Sequence, residues 1–163
     1  MRQNEGDLAK ELAVGAPAPD FALPTDEGGH VRLTDLRGKP VVLYFYPKDD
    51  TSGCTAEAIA FSGLKAKFDA AGATVIGVSP DSAASHDKFK RKHGLAISLA
   101  ADPQKAAIEA YGVWKEKSMY GRKYFGVERS TYLIDREGRI AKIWRKVKVP
   151  GHADEVLAAA KAL

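Results

Sequence analysis

The sequence predicts an α/β protein built on a mixed sheet, and three observations carry that expectation. Two continuous apolar, β-rich runs, Val41-Val42-Leu43-Tyr44-Phe45-Tyr46 and Thr74-Val75-Ile76-Gly77-Val78-Ser79, have the composition of strands buried on both faces. A helical stretch follows each of them. A closing hairpin and an amphipathic C-terminal helix then end the chain, so strands alternate with helices before an antiparallel finish. The 163 residues fit one domain, residues 1–163, large enough to bury a real core.

Taken in order, residues 1–14 are polar and helix-tolerant and read as an N-terminal extension. Pro17 and Pro19 exclude a helix before Phe21. Short extended pieces are expected at 21–23 and 31–33, joined through Gly28-Gly29 as a hairpin. Pro47 ends the first core strand, and a polar turn covers 48–53. A helix is predicted over 54–70, with Ala60, Leu64 and Phe68 at four-residue spacing and Phe61 alongside as its buried face. Gly72 marks its end. After the second core strand come a helix over 82–93, closed by Gly94, and a strand over 95–100. Asp102 and Pro103 supply a cap and a first-turn proline for a further helix that stops near Gly112. Residues 131–135, the turn 136–138 and residues 139–147 form the final hairpin. The last helix, over 151–163, buries Val156, Leu157 and Ala160. The stretch between Trp114 and Arg129 receives no element.

The formal net charge of +4 does not define a partner. Basic residues are interleaved with acidic ones along the chain. The densest knot, Lys88-Phe89-Lys90-Arg91-Lys92-His93, is expected on a solvated helix face. No nucleic-acid-binding motif accompanies it, so nucleic acid is not an expected partner. The opening residues lack a secretory pattern and no apolar stretch is long enough to span a bilayer, so no membrane association and a cytoplasmic location are expected. One cysteine cannot build an internal disulfide framework.

That cysteine is the most informative residue. Cys54 follows Pro47-Lys48-Asp49-Asp50-Thr51-Ser52-Gly53, a segment that leaves a buried strand, turns tightly and enters a helix. A helix N-terminus offers unpaired N–H groups and the positive end of the helix dipole. Both favour a thiolate over a thiol and make Cys54 a nucleophile. Thr51 can place its hydroxyl over the same N-terminus. A lone cysteine is commonly core filler, but cores are not built from neighbours such as Thr, Ser and Gly.

The pattern Pro-x-x-x-Thr-x-x-Cys, here Pro47, Thr51 and Cys54, resembles the active-site motif of the peroxiredoxins. The longer string Thr51-Ser52-Gly53-Cys54-Thr55-Ala56-Glu57-Ala58 resembles their Q-type branch, the bacterioferritin comigratory proteins. The resemblance extends from about Val14 to the C-terminus. It takes in Gly15-Ala16-Pro17-Ala18-Pro19-Asp20-Phe21, Leu33-Thr34-Asp35-Leu36-Arg37-Gly38-Lys39, Tyr111-Gly112-Val113-Trp114 and Arg129-Ser130-Thr131-Tyr132-Leu133-Ile134-Asp135. It implies a thioredoxin-like fold and a thiol-dependent peroxidase. On that resemblance Cys54 is the peroxidatic cysteine, Thr51 orients the peroxide and handles its proton, and Pro47 shields the thiolate. Arg129 holds its guanidinium beside the sulfur, a role that its permanent charge and rigid fork of donors suit. The backbone N–H groups of Gly53 and Cys54 add donors. Glu57 is expected to support by capping or hydrogen bonding, and Tyr44 to pack.

The chain departs from many Q-type members in having no resolving cysteine. The position five residues after Cys54, where it often stands, is Ile59. The implied cycle is therefore a one-cysteine mechanism. A hydroperoxide oxidises Cys54 to a sulfenic acid, and an external thiol (thioredoxin above all, or glutaredoxin or glutathione) reduces it, with over-oxidation as the competing fate. Q-type resemblance also implies a monomer or weak homodimer. Two rivals differ in testable ways. A glutathione-peroxidase-like enzyme would need Gln and Trp partners that this motif lacks. A non-catalytic peroxide sensor or redox chaperone would use the same cysteine without turnover. The four histidines, His30, His86, His93 and His152, have no metal-ligand spacing. No Cys-x-x-Cys or Gly-rich dinucleotide fingerprint is present, so no cofactor is expected.

Overall fold

The structure is a computed structural model in which residues 12–163 are described. Residues 1–11, most of the expected N-terminal extension, lie outside them. The apolar run after Pro40 becomes β3 (Val41–Phe45), every residue of which is buried. Val41, Leu43 and Phe45 pack on one face with Ile76, Val78, Tyr132 and Ile134. Val42, Tyr44 and Tyr46 pack on the other with Val75, Leu99 and Leu133. Each such side chain contributes about 1.5–3 kcal/mol by leaving water, so the strand has no exposed alternative register.

β3 lies parallel to β4 (Thr74–Ser79) and antiparallel to β8 (Ser130–Ile134). β5 (Ser98–Ala101) extends the parallel side, and β9 (Ile140–Trp144) extends the antiparallel side. The resulting order is β5-β4-β3-β8-β9, a mixed sheet. Four helices cover the Tyr44 face: α1 (Ser52–Gly63), α2 (Lys65–Ala70), α3 (Ala83–His93) and α5 (His152–Lys161). The opposite face takes α4 (Ala106–Ala110) and the N-terminal hairpin of β1 (Ala22–Pro24) and β2 (His30–Arg32). The α/β class, the mixed sheet and the hairpin agree with the sequence. Among the described residues no helix is long and apolar enough to cross a membrane.

Three local expectations are corrected. The helix expected over 54–70 begins at Ser52 and breaks at Leu64, whose N–H bonds to Phe61 O at 3.1 Å, tightening the turn. Its buried stripe is Cys54, Glu57, Ala58 and Phe61, while Ala60 and Leu64 are half-buried. The helix expected from Asp102 begins later, at Ala106, because Lys105 takes a left-handed conformation (φ 64°). Asp102 still caps it from a distance, accepting from Ala106 N at 2.9 Å and Ile108 N at 2.8 Å. The unassigned stretch is a hairpin, β6 (Trp114–Met119) with β7 (Arg122–Val127). Its turn, Tyr120-Gly121, has φ of 54° and 77°.

The basic knot at 88–93 is also more than a solvated face. Lys90 Nζ reaches the buried Asp26 carboxylate at 2.7 Å, while the other oxygen of Asp26 accepts from Leu99 N at 2.8 Å. Asp26 thereby occupies a free donor on the outer strand β5, where an edge would otherwise invite pairing. Lys92 and His93 both hold Asp50, at 2.7 and 2.9 Å.

Gly77 faces Tyr44 across the β3–β4 pairing, and a Cβ there would stand 2.7 Å from the phenol ring carbon Cζ. That ring is stacked on Phe61 of α1 with centroids 4.7 Å apart. Gly77→Ala must therefore push Tyr44 into α1. We expect a loss of about 1–3 kcal/mol in urea unfolding. An unchanged midpoint would show that the ring has room to shift.

Candidate active site

β3 ends at Phe45, and the next peptide still follows the sheet, with Tyr46 N donating to Val78 O at 3.0 Å. Pro47 has no N–H to continue the ladder, and the chain leaves the sheet half-buried at that residue. Asp50 then takes a left-handed φ of 61°, a conformation that costs a non-glycine residue about 1–2 kcal/mol. Thr51, in extended conformation, is the N-cap of α1. Its hydroxyl does not cap the helix, contrary to expectation. It donates instead to Lys48 O at 2.8 Å.

Cys54 lies in the first turn of α1 and is 1% exposed. Arg129, in the short link between β7 and β8, reaches it from the other side of the molecule's sequence. Its Nη2 donates to Cys54 Sγ at 3.4 Å, and its Nη1 donates to Glu57 Oε1 at 2.6 Å. Cys54 and Glu57 are three residues apart on one helix face, so a single guanidinium fork meets both. Gly53 leaves it room, since a Cβ there would lie 3.2 Å from Nη2. Thus Cys54, Arg129 and Glu57 are in direct contact, with Thr51 and Pro47 on the turn that leads to them.

The electrostatics of this group are asymmetric. Burial pushes Glu57 up to about 7 despite the opposing pull of Arg129, and its Oε2 has no hydrogen-bond partner among the described residues. Burial also works against the Arg129 charge, but Glu57 and Cys54 outweigh it and hold its pKa above the ordinary value. The difference follows from exposure: the Glu57 side chain is 1% exposed and that of Arg129 17%. Tyr44, sealed beneath, is pushed well above the ordinary phenol range by burial and then by the nearby Glu57 and Cys54. Such a site holds one sulfur against fixed positive charge and backbone dipoles, with water largely excluded. That arrangement suits nucleophilic sulfur chemistry.

Residues 14–143 match the model of the AhpC/TSA family. The chain belongs to that family. It is 51% identical over 146 residues to the peroxiredoxin Bcp of Bacillus subtilis, covering 90% of this chain and 93% of that protein. The solved peroxiredoxin Q of Xanthomonas campestris superposes with a TM-score of 0.83 at 49% identity, covering 87% of this chain and 90% of that one. A Xylella fastidiosa peroxiredoxin Q variant gives a TM-score of 0.89 at 41% identity, over 93% of this chain and 97% of its own. One Xanthomonas structure concerns alkyl peroxide reduction by that bacterioferritin comigratory protein, in trapped intermediate and ligand complexes. This peroxiredoxin thus has the thioredoxin-like fold and is a thiol-dependent peroxidase. Two different cysteines have been substituted in the Xanthomonas structures, whereas this peroxiredoxin has only Cys54.

Lys117 was not visible as part of the site from sequence, because its hairpin was not. Its ammonium is pushed below the ordinary value by burial and by Arg129, with Cys54 and Glu128 pulling the other way. The β6–β7 hairpin therefore brings a second cation within electrostatic reach of the sulfur.

Glu57 gives a signed prediction. Its folded value, about 7, lies above its ordinary 4.5, so the folded state binds the extra proton. Stability from this group is greatest below about 4.5 and falls as pH rises to about 7. Urea titrations across that window should show the decline in the wild type and a flatter curve in Glu57→Gln. Parallel curves would exclude a raised Glu57.

Proposed function

We propose that Cys54 is the peroxidatic nucleophile of this thiol peroxidase, and that Arg129, Thr51 and Pro47 assemble the peroxide around it. The observation that carries the assignment is the 3.4 Å hydrogen bond from Arg129 Nη2 to Cys54 Sγ at the start of a helix. The Cys54 thiolate attacks one peroxide oxygen, the O–O bond breaks, and the departing oxygen takes a proton and leaves as water or an alcohol. The sulfur becomes a sulfenic acid. Arg129 supports the charge as it moves from sulfur to the leaving oxygen. Thr51, its own hydrogen engaged by Lys48 O, accepts from the peroxide O–H and aims it. Pro47 screens the sulfur from bulk water at the exit of β3.

With no second cysteine in the chain, an external thiol condenses with the sulfenic acid, releasing water and leaving a mixed disulfide. A second thiol then releases Cys54. We take thioredoxin as the first candidate, with glutaredoxin and glutathione as the others. Hydrogen peroxide and alkyl hydroperoxides are the proposed substrates, the latter supported by the alkyl peroxide activity of the Xanthomonas relative. We further read the chain as one domain, cytoplasmic, a monomer or weak homodimer, and without a nucleic-acid partner.

The test couples peroxide reduction to NADPH oxidation through thioredoxin and its reductase. Wild type should consume NADPH catalytically, and Cys54→Ser should abolish consumption. Retained activity in that variant would remove Cys54 from the reaction, and a single turnover without catalysis would point to a sensor. Arg129→Ala should slow the peroxide step by about 10²-fold while the protein remains folded. An unchanged stopped-flow rate would take Arg129 out of the chemistry.

A further inference from the structure

The turn that carries Thr51 and starts α1 is bolted from beneath by a buried polar cluster outside the peroxide site. Asp49, with a side chain 3% exposed, points inward from that turn. Its carboxylate accepts three hydrogen bonds: from Tyr46 Oη at 2.6 Å, Ser85 Oγ at 2.7 Å and His86 Nδ1 at 2.7 Å. Its backbone N–H donates to Asp81 Oδ2 at 2.7 Å, which also accepts from Ser79 Oγ. His86, on α3, is completely buried. Its second ring nitrogen, Nε2, lies 3.0 Å from Ala100 O on β5.

The His86 ring thus bridges two elements, with Asp49 at one nitrogen and Ala100 O at the other, and Tyr46 Oη lies 3.4 Å from Nδ1. Sealed from water, neither contact can be exchanged for solvent without leaving a polar group unpaired. The ring ties the turn at Asp49 to the sheet through Ala100, with Asp81 holding the backbone of the same residue.

We propose that His86 is a positioning residue for peroxide reduction: its buried ring holds Asp49, and through Asp49 the turn that aims Thr51 and Cys54. The lever is short. Lys48, whose carbonyl orients the Thr51 hydroxyl, is bonded directly to Asp49, and Asp50 beyond it is held in its left-handed conformation by Lys92 and His93. With the inner tie cut, the outer one alone must keep the turn in place. Cys54 and Thr51 are assigned their roles as above, and the inference rests on that assignment.

The test uses the full chain and two substitutions that split the ring's contacts. His86→Asn can still donate toward Asp49 but loses Ala100, whereas His86→Gln can still donate toward Ala100 but loses Asp49. Both should lower the melting temperature. The stopped-flow rate of Cys54 with hydrogen peroxide should fall about tenfold in His86→Gln and stay within about threefold of wild type in His86→Asn. Equal peroxide rates in the two folded variants would overturn the proposal. If either variant does not fold, Tyr46→Phe removes one donor from Asp49, together with the longer 3.4 Å contact to His86 Nδ1, and leaves the ring's contacts to Asp49 and Ala100 in place. It should slow the same rate, and an unchanged rate would equally sink the idea. Wild-type peroxidase activity lost in Cys54→Ser keeps the nucleophile assignment standing even then, so the two failures are separable.

Discussion

The pairing of Phe45 with Ser130 is the constraint on which the site depends. These residues are opposite each other at the last rung of the β3–β8 ladder. Beyond that rung the chain leaves β3 through Pro47 into α1, while Arg129 immediately precedes β8. One register therefore brings a helix N-terminus and an arginine to the same end of the sheet, although 75 residues separate Arg129 from Cys54. Because β3 is buried on both faces, slipping the pairing by one residue would turn its whole apolar set over. The register that protects the core also fixes the distance from guanidinium to sulfur.

Fixing that distance creates a charge that must be balanced where water is scarce. Cys54 and Glu57 share the Arg129 fork, so the guanidinium is compensated on two sides. The carboxyl is the closer partner, at 2.6 Å against 3.4 Å, but burial works against its charge. It is sealed, one of its oxygens lacks a hydrogen bond, and burial holds it near neutral pH rather than in the ordinary carboxylate range. As Glu57 gains a proton, Arg129 keeps its charge and loses its main competitor for it, so Cys54 becomes the nearest anionic partner.

The sheet and the site were legible in the sequence for different reasons. Residues 41–46 and 74–79 are apolar without interruption, which only a doubly buried strand explains, and the Cys54 segment carries turn chemistry that a core would not. What escaped was governed by tertiary contacts or by exposure. The strands at Trp114–Met119 and Arg122–Val127 are mostly solvated, so Lys115, Glu116, Lys117 and Ser118 show no apolar alternation; Tyr120-Gly121 was their only local sign. Thr51 reads as a helix cap locally, but the adjacent left-handed Asp50 brings Lys48 O within its reach. The basic knot at 88–93 looked solvated because Asp26 and Asp50, which engage it, lie far away in sequence. His86 escaped for the same reason: its partners Asp49 and Ala100 lie on other elements.

The solitude of Cys54 sets two opposed demands on the same turn. At 1% exposure, Cys54 is nearly sealed from solvent. On the proposed assignment a rigid turn favours the peroxide step, since Arg129, Thr51 and the helix N-terminus would act only when held in place. On the proposed cycle an external thiol must meet the sulfenic sulfur along the new bond, which the burial of Cys54 opposes unless the first turn of α1 opens. The bonds that resist opening are few and identifiable: Thr55 N to Thr51 O at 2.8 Å, the ties of Asp50 to α3, and the buried grip on Asp49. With no internal cysteine in the proposed cycle to capture a sulfenic acid on Cys54, these bonds would set the interval during which it stays exposed to a second peroxide. The strength that prepares Cys54 for its first reaction is therefore the strength that delays its rescue.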